Sequence, residues 1–209
     1  RLWRTPGPNC RCNLSDTLLV GTRHNHLRRL GNRDVDARRD RVGAGGAVRV
    51  AGRLAGAKAP LIISQRGTGT ERAFDALGAF VTDWALPLSH YWANQLSLPL
   101  DHPMQVGADP GPLLEQVDVV LVLNSLAPWW PDKVSLHPNA KVIQLGPDPL
   151  FSRTPVRNFP ADVTLAGETG ATLLALIDAM KGQPRDEETL ADRRARITAL
   201  SAADRARVA

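Results

Sequence analysis

The chain has 209 residues and a formal net charge of +5, enough for one good core plus extensions. The charge is unevenly placed: residues 1–46 carry 10 Arg, no Lys and 4 Asp, while residues 47–209 carry 12 Arg, 4 Lys and 17 acids. The basicity therefore belongs to the first segment and gives no argument for nucleic-acid binding by the rest, and no apolar run approaches the roughly 20 residues that span a bilayer.

Residues 1–46 show no sustained helical or strand period. One short apolar run, Thr17–Val20, stands among Arg, Asn, Asp and Gly. That composition predicts a poorly ordered segment, and an off-frame stretch from a GC-rich gene reads the same way. Its His24 and His26, beside Arg23, Arg28 and Arg29, are expected to be solvated. Cys10 and Cys12 are too close for an unstrained disulfide. With no cysteine elsewhere and no signal peptide, the expected compartment is the cytoplasm. The first residue is Arg1, and the expectation is a piece of a longer product.

From Ala47 the pattern changes. Val48, Val50 and Leu54 suit a helix ending near Gly56. Pro60–Ser64 reads as a short strand, 65–70 (QRGTGT) as a glycine-bearing turn, and Glu71–Trp84 as a helix. In that helix Phe74, Leu77, Phe80, Val81 and Trp84 recur at spacings of three and four, the stripe of a half-buried helix. Leu86–His90 is a second strand. Tyr91–Pro110 is a long polar-aromatic loop, and loops of that length in compact domains are functional or covered. One helical turn at Pro112–Gln116 leads to Val117–Leu123. That run and Lys141–Leu145 are nearly continuous apolar runs, the mark of strands buried on both faces.

Ala161–Ala166 is a last strand. It is followed by a helix at Glu168–Lys181 with Leu173, Leu174, Ile177 and Met180 on one face and an acid, Glu168, in its first turn. After Gly182-Gln183-Pro184 comes a polar helix, Asp186–Ala209. Its apolar positions are sparse, and it reads as a solvated linker helix. Strands alternating with helices through residues 47–181 predict an α/β fold, a doubly wound, Rossmann-like parallel sheet of about four to six strands. The expected division is a poorly ordered segment at 1–46, a core domain at 47–182 and a connector helix at 183–209.

In open α/β sheets ligands bind beyond the carboxyl ends of the strands. The loops Asn124–Asp132 and Gly146–Pro149 are the first places to look. The Gln65–Thr70 turn also stands between a strand and a helix, where amides attract anions. It lacks both G-x-G-x-x-G and G-x-x-x-x-G-K-[ST], so a phosphate cradle and a plain tight turn both fit. His90, Trp92, Asn94, Asp101 and His102 share one loop without metal-ligand spacing. His90 reads as a packed histidine and Asp101-His102-Pro103 as a turn. Trp129-Trp130, between Pro128 and Pro131, suits a contact with another domain or subunit; stacking on a cofactor ring is the sharper alternative. No nucleophile elbow, triad or paired-carboxylate spacing is present, and no catalytic residue or metal ligand is assigned.

Five stretches together resemble a known family. They are 54–64 (LAGAKAPLIIS), 86–107 (LPLSHYWANQLSLPLDHPMQVG), 117–125 (VDVVLVLNS), 140–149 (AKVIQLGPDP) and 161–176 (ADVTLAGETGATLLAL). Their order and spacing are similar to the central domain of thiamine-diphosphate-dependent enzymes of the acetolactate synthase, pyruvate decarboxylase and benzoylformate decarboxylase superfamily. The resemblance covers roughly residues 47–182. It implies a three-domain parent in which thiamine diphosphate and Mg2+ sit between the outer domains of two subunits, as a dimer or tetramer. The essential glutamate and the G-D-G…N metal motif belong to those outer domains, so the chain alone would be inactive. Some members bind FAD on the central domain. The corresponding cofactor-binding positions are Gln65, Gly67, Gly69, Asn124, Ser125, Gly146 and Asp148. Asn124 stands where the family usually has glycine, and Gly146-Pro147-Asp148 replaces a more acidic pattern. A free-standing NAD- or FAD-binding module without catalysis is the alternative.

Overall fold

The computed structural model describes residues 44–152 and 159–208. The poorly ordered or off-frame reading of 1–46, with Cys10, Cys12, His24 and His26, falls almost wholly outside the described residues. Ten elements follow in chain order: α1 (Ala44–Ala55), β1 (Pro60–Ser64), α2 (Glu71–Asp83), β2 (Leu88–Ser89), α3 (Gly111–Leu114), β3 (Val119–Leu123), β4 (Lys141–Gly146), β5 (Val163–Ala166), α4 (Thr169–Met180) and α5 (Glu187–Val208).

The five strands form one sheet in the order β2-β1-β3-β4-β5. Every pairing is parallel, as the expected α/β class requires. All residues of β1 and β3 are buried, because both faces are covered. Alternation then sorts the side chains. Ile62, Leu121, Leu123, Ile143, Leu145, Val163 and Leu165 face a helical layer with Leu54, Leu77, Phe80, Leu173 and Leu176. Leu61, Ile63, Val120, Val122 and Val142 face the other side, with Leu114, Val117 and Trp129. The doubly wound sheet is thus unequal: its second cover is the four-residue α3 and irregular chain rather than a full helix layer. Each fully buried Leu or Ile contributes on the order of 2 kcal/mol.

The elements end for local reasons. Thr70 caps α2, its Oγ1 accepting from Ala73 N at 3.2 Å. Glu168 lies outside α4 as its N-cap, not inside the first turn. The buried residues of α4 include Thr169, Leu173, Leu176 and Met180, while Leu174 and Ile177 are half-buried. The expected stripe is rotated because α4 packs on both α1 and α2.

α5 forms where expected, but it is not solvated. Leu190, Arg193, Ile197 and Ser201 are buried. Arg193 donates from Nη1 to Ala57 O and from Nη2 to Trp84 O, both at 2.8 Å. Arg194 reaches Thr82 O and Asp83 O. Arg185 pairs with Asp83 at 2.7 Å and stacks 4.8 Å over the Trp84 ring. Backbone carbonyls at the end of α2 and after α1 hold this helix, so few apolar positions suffice.

Candidate functional site

The strand order creates a switch point. From β1 the chain passes through α2 to β2 on one side, and β3 lies on the other. The loops leaving β1 and β3 therefore diverge, and the crevice between their carboxyl ends is the general ligand position in such sheets.

Gln65 closes the floor of this crevice. Its Oε1 accepts from Leu126 N at 2.9 Å and lies 3.5 Å from the Ser125 hydroxyl, which donates to it. Its carbonyl accepts from Asn94 N at 2.9 Å. One side chain thus joins the β1 turn to the β3 loop, and its backbone joins that turn to the 91–110 loop. Asn124 follows β3 with φ 46°, a left-handed conformation that asparagine tolerates better than most residues. Asn124 N donates to Leu145 O at 2.7 Å and Nδ2 to Thr169 Oγ1 at 3.2 Å. Gly146 faces it: a Cβ added there would lie 3.5 Å from Asn124 Cα.

Gly67 and Gly69 have φ of 68° and 86°, conformations that favour glycine. With Thr68, Thr70, Phe74, Gln95 and Leu96 they line a cleft of about 370 Å3. The Gln95 side chain covers Gly67 and the Glu168 carboxylate lies beside Gly69. Glu168 accepts from Gly170 N at 2.9 Å and Ala171 N at 2.6 Å, and these amide bonds, Ala171 first, hold its pKa below the usual glutamate value. The amino end of α4 is therefore already occupied by the chain's own anion.

The seven expected positions do not all converge. Gln65, Asn124, Ser125 and Gly146 surround the crevice, and Gly67 and Gly69 form its adjoining wall. Asp148 instead closes a local turn, accepting from Ser152 N at 2.8 Å and Ser152 Oγ at 3.0 Å. Sequence reasoning missed Arg66, Gln95 and Phe151 as site residues. Arg66 bridges to Gln95, and its guanidinium lies 5.3 Å from the Phe151 ring centroid. Only the position of Arg66 inside the QRGTGT turn could have signalled it.

His90 is packed, as expected. Its Nε2 accepts from Ser97 N at 3.0 Å and Leu98 N at 3.3 Å. Burial lowers its pKa to about 4. His102 bonds Thr82 Oγ1 and accepts from Met104 N in a turn. Among the described residues, no three His, Cys, Asp or Glu side chains converge as a metal site. The two tryptophans part company. Trp129 is buried, edge-on to Phe159 at 5.2 Å, so it fills this domain's own core and not an external contact. Trp130 is 44% exposed and edge-on to Trp92, itself 59% exposed, at 5.9 Å.

Residues 48–176 match the thiamine pyrophosphate enzyme central domain family. The chain belongs to that family. Two solved structures similar to this central domain share its fold. One is a protein from Mycobacterium smegmatis assigned to the thiamin diphosphate-dependent enzymes, with 23% identity and TM-score 0.56, over 70% of this chain and 29% of that one. The other is benzoylformate decarboxylase from Polynucleobacter necessarius, with 20% identity and TM-score 0.55, over 66% of this chain and 27% of that one. The central domain thus spans under a third of either chain. No curated protein matches it. No helix among the described residues is long and apolar enough to cross a membrane.

Proposed function

We propose that this chain is the scaffold domain of a cytoplasmic thiamine-diphosphate-dependent enzyme acting on 2-oxo acids, a lyase or carboligase resembling acetolactate synthase. The observation that carries this reading is the family match over residues 48–176, joined to the five-stranded parallel sheet. Thiamine diphosphate, when bound, supplies the electron sink for loss of carbon dioxide from a 2-oxo acid. Among the described residues no three His, Cys, Asp or Glu side chains converge to hold its Mg2+. No chemical step is assigned to them. Their role is that of a scaffold, and the exposed Trp92–Trp130 pair is the surface for amino- and carboxyl-terminal domains of the parent or for a second subunit of a dimer or tetramer. The test begins with the flanking DNA: on the order of 150 downstream codons, one domain's worth, should encode a G-D-G…N motif. The full-length product should then decarboxylate a 2-oxo acid only with thiamine diphosphate and Mg2+. Absence of the motif, or cofactor-independent turnover, overturns the reading.

The switch-point crevice supports a second role, a nucleotide held by Gln65, Gly67, Gly69, Asn124, Ser125 and Gly146. The Glu168 carboxylate beside Gly69 opposes a pyrophosphate there, since like charges at short range repel. An adenosine end, without phosphates, therefore fits better than ADP, FAD or NAD. Titrating the chain with FAD, NAD, ADP and adenosine separates these. Micromolar binding of FAD or NAD by the chain alone would favour a free-standing dinucleotide module instead.

A further inference from the structure

α5 carries the chain from one end of the sheet to the other, on its β2 side. Arg193 binds Ala57 O and Trp84 O, just before β1 and β2. Farther along, Ser201 Oγ donates to His102 O. The Asp204 carboxylate then lies against Gly107, where an added Cβ would collide with it. Gly107 O accepts from His90 N, just past the carboxyl end of β2. Asp109 is close enough for its charge to act on both Tyr91 and Arg207. The last turn of α5 therefore stands beside Tyr91.

Tyr91 opens an aromatic face. Its ring stacks on Trp92 at 5.4 Å, and Trp92 meets Trp130 edge-on at 5.9 Å. The Lys133 ammonium lies 5.6 Å from the Trp130 ring centroid. Trp92 is held outward at φ 49°, a left-handed conformation that is an outlier for so bulky a residue, and such outliers cluster at functional sites. Trp92 and Trp130 are 59% and 44% exposed, so the two indoles together offer on the order of 250 Å2. That is well under the roughly 800 Å2 per partner of a stable complex between separate molecules. A domain tethered on the same polypeptide needs less, because a short tether supplies a local concentration on the order of millimolar.

We propose that the Tyr91–Trp92–Trp130 face seats the domain that follows α5 in the parent, rather than the amino-terminal domain or a second subunit. This rests on the reading of the chain as one domain of a larger thiamine-diphosphate-dependent enzyme. α5 brings the chain to the edge of the face, so the following domain needs only a short connection to reach it.

The test uses the full-length product of the gene. In hydroxyl-radical footprinting Trp92 and Trp130 should be protected at least about fivefold relative to the present chain, since an interface core excludes water. The buried Trp84 and Trp129 should be unchanged. Cross-linking Lys133 to carboxylates, in enzyme assembled from heavy- and light-nitrogen subunits, identifies the cover. Lys133 should join residues encoded beyond residue 209, within one polypeptide. Links to the amino-terminal domain or to the other subunit overturn the proposal. So do indoles as reactive in the full-length product as in this chain. If that product turns over a 2-oxo acid with thiamine diphosphate while both indoles stay reactive, this proposal alone fails. A product with no domain after α5 sinks the reading of the parent, and the proposal with it.

Discussion

His90 offers a direct test of how the crevice wall is held. Its Nε2 accepts two backbone N–H groups, from Ser97 and Leu98, so the native ring must be neutral with its proton on Nδ1. That proton has no partner in the fold. Protonating Nε2 would break both bonds and put a charge in a buried site. Burial accordingly lowers the native pKa from 6.5 to about 4. In the unfolded chain the ring titrates at its ordinary value. Between pH 6.5 and about 4 the unfolded state therefore holds a proton that the native state does not, and stability rises with pH. The contribution is complete above pH 6.5 and lost as pH falls toward 4. It amounts to on the order of 2–3 kcal/mol after allowing for partial solvent screening. The assay is urea unfolding across this range, followed by tryptophan fluorescence, for the wild type and His90→Gln. The glutamine keeps an acceptor but does not titrate. All other groups, His102 included, are common to both proteins. The wild type should lose stability relative to the variant as pH falls, and parallel pH profiles would refute the argument. The loop concerned carries Gln95 and Leu96, two walls of the cleft, so its loosening at low pH should weaken any ligand held there.

Replacing Arg193 by Met removes two charge-assisted hydrogen bonds, worth about 1.5–3 kcal/mol each, and partly offsets that by relieving a buried charge. A net loss of about 2–4 kcal/mol in urea unfolding is expected, with earlier proteolysis in α5; an unchanged midpoint would mean that α5 is not part of the folded unit. Glu168→Ala should lower the melting temperature at neutral pH. Because the native pKa is depressed, this difference should disappear as pH falls from the ordinary glutamate value through the lowered one, and a difference that persists in strong acid would assign Glu168 another role. Trp129→Ala should cost about 3–5 kcal/mol as a buried ring is deleted. Trp130→Ala should change unfolding by less than about 0.5 kcal/mol, and equal effects would contradict the division between core and surface.

Much of this fold is legible in the sequence, for a definite reason. The nearly continuous apolar runs Val117–Leu123 and Lys141–Leu145 read as strands covered on both sides, and the period of α2 is plain in Leu77, Phe80, Val81 and Trp84. The sparse apolar pattern of α5 misleads because its anchor is an arginine. Nothing local shows that Arg193 meets Ala57 O and Trp84 O, 136 and 109 residues away in the chain. Trp129 and Trp130 are inseparable in sequence, since adjacent side chains diverge only once the backbone path is known. Asp148 matches a loop position, yet a short-range bond to Ser152 claims it.

Local apolar patterning and turn chemistry act over a few residues. They establish the class of element at each place, while the family comes from the resemblance of five spaced stretches and is shown by the match over residues 48–176. Which ends meet is a property of the folded chain alone. Placing β1 between β2 and β3 brings Gln65 to Ser125 and Leu126, 60 and 61 residues along the chain. It also sets Glu168 against Gly69 and leaves Arg193 Nε buried without a hydrogen-bond partner. Strand order is a balance of many long-range contacts, and no single stretch of sequence carries it.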